Sequence, residues 1–514
     1  MKLNKYIIAC GLVCTSFSTW AQAQNLNDKL KNYVSEFNNN DNEAVINKIS
    51  NAQSFDWLKE NVPLLDCPDK EIEEKYYFRW WSFRKHIKET PDGTIVTEFI
   101  EPVKHAGKHN SISCALGHHL YDGRWIKNND FLKEYVKFWL YKSDVGETRP
   151  RFHQFSSWVD DALLAYYKVH PDTEFIKEII VDLDKDFDKW EQERQLSNGL
   201  FWQHDVKDGM EESVSGSRRD QNMRPTINSY MYANALALTK LAKIADKPEL
   251  IGKYQAKADA YRQQTQDSLW DAKDKFFKTK MANDGSLHPA REAIGFIPWY
   301  FNLPDDKKEY AQAWNQLLDT AGFKSKWGLT TAERREPTFK TRGSGHGCEW
   351  DGPIWPFATT QTLRGLANLL TNYKHTANVN ARVFYDELHK YAWSQQMYGK
   401  PYIGEYQDET TGEWLKGDDP RSKFYNHSTY MDHVIQDLIG LKPSLNNEIA
   451  FHPLIPKGEW DYFTLDNISY HGKTIKVVWD KTGKHYGKGK GFRVFANGVQ
   501  VAKSAKLKPM IVKL

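Results

Sequence analysis

The chain has 514 residues, a formal net charge of +3 and a mean hydropathy of −0.70. Its positive and negative charges nearly balance, and no run of Lys and Arg is dense enough to form the basic surface that nucleic acid or anionic lipid requires. Beyond the amino terminus, no segment approaches the roughly 20 apolar residues that a membrane helix needs. Composition therefore gives no support for a nucleic-acid or membrane partner.

The amino terminus has the pattern of a secretion signal. Lys2 and Lys5 precede an apolar stretch, and Ala21-Gln22-Ala23 matches the small-x-small pattern of a signal-peptidase site. We predict that residues 1–23 are removed and that the protein is secreted or periplasmic. A lipoprotein signal is disfavoured, because the apolar run before Cys10 is too short.

The mature chain would retain three cysteines, Cys67, Cys114 and Cys348. Their spacing matches neither a zinc site nor a disulfide framework, and we expect no metal or other cofactor. Two alternatives stay open for the thiols. They are either buried and free, or two of them form one disulfide whose pairing the sequence does not determine.

Helical patterns dominate the chain up to about residue 441. Residues 24–65 predict a helical preamble, and a series of amphipathic helices follows from about residue 130. The clearest helical segments, in chain order, are 131–141, 162–169, 230–245, 359–370 and 381–396. After Pro443, short segments at 467–472, 475–479 and 492–495 predict strands, so we expect residues 444–514 to form a small β-domain.

Three long loops between these helices are rich in Trp, Tyr, Arg, Glu and Gly. They cover residues 202–224, 328–356 and 398–427. Long loops inside a compact domain are usually functional. The alternation of helices and rich loops favours a mainly helical toroid of hairpins over residues 66–443, whose loops converge on one mouth.

Two of these loops hold carboxylates in non-helical, aromatic surroundings. Asp208, Glu211 and Glu212 lie close together in the first, and Glu405 and Asp408 lie in the third. Like charges held close raise one pKa, which suits a general acid. Because hydrolysis of a glycosidic bond needs one protonated carboxyl group and one carboxylate, the pattern points to a glycoside hydrolase that needs no metal.

The same loops resemble those of glycoside hydrolase family 63 and its relatives, which include bacterial mannosylglycerate hydrolases and, more distantly, the family 37 trehalases. The matching segments are 208–213, 350–355 (Trp-Asp-Gly-Pro-Ile-Trp), 405–412 and 425–428. Residues 77–81 and 460–463 also resemble bacterial proteins with a mannosylglycerate-hydrolase-like domain, some of them in family 142. The likeness covers most of the mature chain.

The resemblance implies an inverting mechanism on an (α/α)6 barrel, with Glu211 as general acid and Glu405 as general base. The family usually has Asp at the position of Glu211, so Asp208 and Glu212 stay open as alternatives for the acid. Relatives commonly carry Arg where this chain has Asp351, which implies a different substrate. Trehalose, mannosylglycerate and glucosylated N-glycans are therefore not carried over.

A further set of aromatic, charged and polar residues is predicted to contact an oligosaccharide or polysaccharide substrate. It comprises Arg79, Trp80, Trp81, His119, Trp158, Asp208, Arg224, Tyr230, His346, Trp350, Asp351, Trp355 and His427. Core packing explains each Trp equally well, and a structural hydrogen bond explains each His equally well.

Two other classes of function remain open. A polysaccharide lyase on a helical toroid would use Tyr230 with His346 or His427 and Arg224, and would leave an unsaturated sugar. A glycan-binding protein would use the same aromatic loops for binding alone. Long enclosing loops favour exo action if the protein is a hydrolase, and the sequence does not predict the oligomeric state.

Overall fold

The computed structural model describes residues 14–143, 151–343 and 347–514. Most of the predicted leader peptide lies outside these ranges. Among the helices of these three ranges, none combines the length and apolar content needed to cross a membrane.

The α-helices agree well with the helical periodicity of the sequence. In chain order they are α1 (Cys14–Asn39), α2 (Ser54–Asn61), α3 (Lys70–His86), α4 (Leu116–Gly123), α5 (Asp130–Tyr141), α6 (Val159–Tyr167), α7 (Thr173–Arg194), α8 (Pro225–Ile244), α9 (Pro248–Leu269), α10 (Ile297–Tyr300), α11 (Lys308–Ala311), α12 (Pro356–Asn372) and α13 (Ala381–Ser394). The five helices named from the pattern correspond to α5, α6, α8, α12 and α13. A π-helical segment, His433–Leu438, follows α13.

These helices form two concentric layers. Neighbouring members of the inner layer contact each other in the order α4, α6, α8, α10, α12 and His433–Leu438. The outer layer consists of α3, α5, α7, α9, α11 with the 3-10 helix Gln312–Leu317, and α13. The arrangement is an (α/α)6 barrel, which confirms the predicted fold.

Burial explains which helices are inner and which are outer. All eight residues of α4 are buried, as expected for a helix with neighbours on every side. By contrast, α7 buries one face, with Phe175, Ile176, Ile179 and Leu183 at helical spacing. Its opposite face carries Asp184, which receives a hydrogen bond from Lys253 (2.7 Å).

The long loops lie at one end of the barrel because of the chain direction. Each outer helix returns the chain, so all inner helices point the same way and begin at the same end. The loops 202–224 and 328–355 lead directly into α8 and α12, each of which has Pro in its first turn. The amino-terminal ends of the inner helices therefore surround the mouth.

Strands flank the barrel. One sheet has the order β1-β10-β11-β12-β13 and another has the order β14-β9-β8, with hairpins β2–β3, β4–β5 and β6–β7 between helices. The bounds are β1 (Leu64–Asp66), β2 (Ile87–Thr90), β3 (Gly93–Val96), β4 (Trp270–Asp271), β5 (Phe276–Phe277), β6 (Gln396–Met397), β7 (Lys400–Pro401), β8 (Leu441–Pro443), β9 (Glu448–Phe451), β10 (Tyr462–Tyr470), β11 (Lys473–Asp480), β12 (Gly491–Ala496), β13 (Val499–Ser504) and β14 (Met510–Lys513).

The carboxy-terminal sheet contains one strand from the other end of the chain. β1 pairs antiparallel with β10, so that Leu65 lies opposite Leu465. The predicted strands correspond to β10, β11 and β12, whereas the pairing with β1 was not predicted. Cys67, which follows β1, is a buried free thiol, as is Cys114, and Cys348 is a partly buried one.

A buried ion-pair network joins the last inner segment to its neighbours. Asp432 accepts hydrogen bonds from Arg124 (2.6 Å) and from the indole of Trp125 (2.7 Å), and it also pairs with Arg364. All of these groups are buried. Breaking such a network leaves uncompensated charges in the core.

We expect Asp432→Ala to lower the free energy of unfolding by about 3–5 kcal/mol, because it leaves the buried guanidinium group of Arg124 without a carboxylate and Arg364 with Asp437 alone. Urea unfolding followed by circular dichroism measures this loss. Asp461→Ala is the control: it removes an exposed ion pair with Lys481 and should cost less than about 1 kcal/mol. Equal losses in the two variants would contradict the role given to Asp432.

Candidate active site

The three long loops meet at the mouth of the barrel. The backbone N–H of Trp350 donates to the carbonyl oxygen of Glu211 (3.0 Å), which joins the first loop to the second. Ile354 and Gln407 exchange two backbone hydrogen bonds of 2.9 Å, which join the second loop to the third. The loops that carry Glu211 and Glu405 are therefore held against a common partner.

Glu211 is partly buried and has a perturbed carboxyl group. Burial raises its pKa to about 7, and the nearby charges of Glu405 and Asp205 add to the shift. Among the described side chains, none forms an ion pair with it. A carboxyl group in this environment holds its proton up to neutral pH, as a general acid must.

The two alternative acids have different surroundings. Asp208 is buried and accepts hydrogen bonds from Arg224 (2.6 Å), Ser156 (2.6 Å) and Thr226. A carboxylate with three donors, one of them cationic, is stabilised in its charged form. Glu212 lies at the surface and pairs with Arg218 (2.9 Å). Each of the two therefore has an arginine partner, which Glu211 lacks among the described residues.

Glu405 is buried, and it has a cationic partner. One carboxylate oxygen accepts hydrogen bonds from Arg421 (2.7 Å) and from the thiol of Cys348 (3.4 Å). Burial raises its pKa, while the positive charges of Arg421 and Lys416 oppose that shift. The other oxygen, Oε2, is buried and has no hydrogen-bond partner among the described residues.

A third carboxyl group, Glu98, lies beneath the other two. Its oxygens accept hydrogen bonds from the Tyr425 hydroxyl and from the thiol of Cys114 (3.3 Å). Burial, together with the charges of Glu405 and Glu211, raises its pKa to about 8. Nothing in the sequence pattern marks this residue, because it follows a short hairpin outside the rich loops.

Aromatic side chains line the same region. Trp355 stacks on Trp350 (ring centroids 4.5 Å apart) and on Tyr406 (4.9 Å). His427 lies between Tyr425, 4.1 Å away, and the ring of Trp355, 5.9 Å away. The predicted residues Trp350, Trp355 and His427 are thus brought together with the third loop.

Several buried polar atoms in this aromatic region have no hydrogen-bond partner within the described ranges. They are both ring nitrogens of His118, both ring nitrogens of His427, and the indole nitrogens of Trp158 and Trp350. Burial holds the pKa of His118 and of His427 well below the usual range, so both rings are neutral. Such atoms are suited to exchange hydrogen bonds with sugar hydroxyls.

Two predicted contact residues are fully engaged within the protein. His119 bonds to the hydroxyl of Tyr135 (3.0 Å) and to the carbonyl oxygen of Asn426 (2.6 Å). Arg79 donates to Tyr391 (3.1 Å) and to the backbone of Ser428. They support the loop that carries His427.

The remaining residues that were predicted to contact the substrate lie in different environments. Trp80 and Trp81 are packed in the core on α3, and Tyr230 accepts a hydrogen bond from Gln361 (2.6 Å) beside Trp158. Asp351 lies 3.4 Å from the ammonium group of Lys340. His346 falls outside the described residues.

Solved structures of similar shape share the barrel. The mannosylglycerate hydrolase of glycoside hydrolase family 63 from Thermus thermophilus, solved with Tris and D-glycerate, is 12% identical with a TM-score of 0.53, over 71% of this chain and 98% of that one. The family 78 rhamnosidase of Bacillus sp. GL1 is 11% identical with a TM-score of 0.56, over 81% of this chain and 40% of that one. At these identities the likeness shows the fold alone.

A more similar structure is longer than this protein. A chain named sialidase is 45% identical with a TM-score of 0.91, and the match covers 95% of this chain but 44% of that one. This protein therefore spans less than half the length of that relative.

The family comparison assigns the barrel to a class of glycoside hydrolase domains. A model of the mannosylglycerate hydrolase MGH1-like glycoside hydrolase domain matches residues 108–428, more than half of the chain, and the protein belongs to that family. A second model, the C-terminal domain of glycosyl hydrolase family 65, matches residues 441–502. The predicted resemblance to a mannosylglycerate-hydrolase-like glycoside hydrolase domain is confirmed.

The protonation state of Glu98 can be tested without a substrate. Its raised pKa means that, between its usual pKa and about 8, the folded state binds a proton that the unfolded state does not. The free energy of unfolding should therefore fall as pH rises through this window, and Glu98→Gln should remove that fall. We expect the variant to gain about 1 kcal/mol per pH unit relative to the wild type between about pH 5 and pH 7.

Urea unfolding at a series of pH values provides the measurement, with Glu212→Gln as the matched control. Since Glu212 lies at the surface and is paired with Arg218, its variant should show a difference from wild type that does not change with pH. A pH-independent difference for Glu98→Gln as well would show that Glu98 is ionised in the folded protein.

Proposed function

We propose that the protein is an inverting, exo-acting glycoside hydrolase in which Glu211 is the general acid and Glu405 is the general base. The observation that carries this proposal is the contrast between the two carboxyl groups. Glu211 has a pKa raised to about 7, whereas Glu405 forms a 2.7 Å ion pair with Arg421. Burial raises the pKa of both groups, but only Glu405 is paired directly with a cation, and such a difference between two interacting carboxyl groups is a basis for dividing acid and base roles.

In this mechanism Glu211 donates its proton to the glycosidic oxygen as the bond to the anomeric carbon breaks. Glu405 takes a proton from a water molecule that attacks the opposite face of the sugar ring. Its free oxygen, Oε2, is the one available to that water, because the other oxygen is bonded to Arg421 and Cys348. Glu211 is left as a carboxylate and Glu405 as a carboxylic acid, and a proton returns to Glu211 before the next turnover.

Arg421 positions the base and favours its charged form. Burial alone would favour the neutral form of Glu405. The guanidinium group offsets that effect and fixes one carboxylate oxygen, so that the other points in a defined direction. The hydrogen bond from the backbone N–H of Glu405 to the Ser422 hydroxyl (3.0 Å) joins the same two parts of the third loop.

The sugar would pack against the aromatic stack and bond to the unpartnered polar atoms. Trp355 is covered on both faces by Trp350 and Tyr406, so the outer faces of these two rings are the ones that can pack on the C–H surface of a pyranose or furanose ring. His118 and His427 can each accept or donate a hydrogen bond, because their rings are neutral. A pocket enclosed by three long loops supports exo action.

Asp351 supports a substrate different from that of the Thermus enzyme. The resemblance places an Arg at this position in many relatives, and an Arg suits a carboxylate ligand such as glycerate. Asp351 supplies only acceptor oxygens when ionised and pairs with Lys340 (3.4 Å). Asp351 in place of Arg therefore supports a substrate whose hydroxyl groups donate hydrogen bonds to this carboxylate.

The groups needed by a lyase are not suitably arranged. The hydroxyl of Tyr230 is buried beside Trp158 and bonded to Gln361, and burial raises its pKa well above the usual value. Arg224 is paired with Asp208. Neither residue is free to act on a uronate, which agrees with the hydrolase class.

The leader-like amino terminus supports secretion or a periplasmic location.

We expect Glu211→Gln and Glu405→Gln each to lower kcat/KM by at least about 100-fold, since each removes one proton-transfer group while preserving shape. The assay is reducing-sugar release from a panel of bacterial and plant oligosaccharides, followed by NMR of the first-formed anomer to test inversion. Glu212→Gln is the matched control, because it changes an adjacent carboxylate that faces Arg218. Activity that survives in Glu211→Gln or Glu405→Gln would show that another residue has that role. Loss of activity in Glu212→Gln would favour Glu212 as the acid.

The rate should fall on both sides of a pH optimum below neutrality. As pH rises through about 7, Glu211 loses the proton that it must donate, so kcat/KM should drop tenfold per pH unit. As pH falls, Glu405 becomes protonated and can no longer accept a proton from water. A pH profile of kcat/KM measures both limbs, and a rate that stays constant well above pH 7 would contradict Glu211 as the acid.

A further inference from the structure

A second cleft opens beside the mouth of the barrel. Its volume is about 380 Å³, which is within the range of small-ligand sites. Five parts of the chain form its walls: residues 37–45, the face of α3 with Phe78 and Trp81, residues 100–101, the β6–β7 hairpin and residues 418–424. It does not include Glu211 or Glu405.

The aromatic side chain at the rim of this cleft is held in an unfavourable backbone conformation. Tyr398 is 80% exposed and has a φ of 53°, next to Gly399 with a φ of 71°. A two-residue hairpin turn with both φ values positive favours Asn followed by Gly. A bulky side chain at the first position costs stability, so its retention points to a use for the ring.

The ring of Tyr398 reaches toward the opposite wall. Its hydroxyl lies 3.4 Å from Asp418, which belongs to the loop on the other side. The lining also contains Tyr402 and Phe424, whose rings are mostly buried. A flat exposed ring at the rim of a cleft, with polar groups beside it, suits the C–H faces and hydroxyl groups of a sugar.

The charges of the cleft favour a neutral ligand. Its lining contains the cations Lys85, Lys400 and Lys423, together with the anions Asp41, Glu43, Glu101 and Asp418. Lys85 and Lys423 both pair with Asp41, at 2.6 and 2.8 Å. With cations already neutralised by carboxylates, the lining offers little to an anionic group and many partners to hydroxyls.

The cleft and the catalytic pocket share one loop. Pro420, Lys423 and Phe424 line the cleft, whereas Arg421 of the same loop holds Glu405. Tyr402 lines the cleft three residues before Glu405. A saccharide in the cleft would therefore lie on the opposite side of the loop that positions the base.

We propose that this cleft is a second carbohydrate-binding site, which takes a neutral oligosaccharide with Tyr398 as its stacking platform. The proposal rests on the protein's being a glycoside hydrolase but not on the roles of Glu211 and Glu405. It predicts that binding in the cleft can be observed in a variant without activity.

Hydrogen–deuterium exchange of the Glu405→Gln variant tests the proposal. The probes are trisaccharides of glucose, mannose, galactose, xylose and arabinose at tens of millimolar, with a galacturonic acid trimer as the charged comparison. We expect at least one neutral trisaccharide to slow exchange in residues 40–45 and 397–402. Protection of residues 205–216 reports the catalytic pocket separately.

Two substitutions separate the ring from the turn. Tyr398→Asn should raise thermal stability, because Asn suits the turn, and should weaken cleft binding about tenfold, the size of one lost aromatic contact. Tyr398→Trp keeps a ring and should keep binding. Protection in 205–216 should be the same in both variants.

Three results would overturn the proposal. They are protection confined to 205–216, no protection by any neutral trisaccharide, or protection by the galacturonic acid trimer alone. Cleft protection that survives Tyr398→Asn unchanged would remove Tyr398 as the platform. Failure of the catalytic assignment would instead appear as activity in Glu405→Gln, which is independent of the exchange pattern in the cleft.

Discussion

Closure of the inner ring is the constraint on which the rest of the structure depends. Asp122, at the end of the first inner helix, accepts hydrogen bonds from the backbone N–H groups of Tyr430 (3.2 Å) and Asp432 (2.8 Å), at the start of the last one. These contacts join residues about 300 positions apart and fix the segment that begins at Tyr425. Because that segment carries His427 and contacts Glu98, the geometry of the mouth follows from the closure of the barrel.

The mouth concentrates negative charge, and the fold tolerates it for two reasons. The inner helices begin there, and the amino-terminal end of a helix carries a partial positive charge that stabilises nearby anions. In addition, the carboxyl groups have different partners: Glu405 has Arg421, Asp208 has Arg224, and Glu98 has only the neutral donors Tyr425 and Cys114. Like charges held close need not all ionise, so one site can hold both an acid and a base.

The sequence predicted the barrel and the meeting of the three loops, because helical periodicity and rich loops are local signals. It did not reveal Glu98, whose partners lie 16 and 327 positions away, or the pairing of β1 with β10. Trp80 and Trp81 were predicted to contact the substrate, but both are buried in α3. A buried helix and a sugar-binding surface can have the same aromatic sequence pattern. Arg421 lay inside a loop already marked as functional, but only the fold shows that it reaches Glu405.

The ion-pair network around Asp432 and the mouth of the barrel differ in the partners of their buried carboxyl and imidazole groups. Asp432 pairs with Arg364, and Asp437 is bonded to both His433 (2.8 Å) and Lys442 (3.0 Å). Each of these two carboxylates therefore has cationic partners. At the mouth, His118, His427 and one oxygen of Glu405 are buried without partners among the described residues. Unpaired buried polar groups cost stability unless something else uses them. Those of His118, His427 and Glu405 lie beside the candidate catalytic carboxyl groups, where the hydroxyl groups of a bound sugar can supply the missing partners.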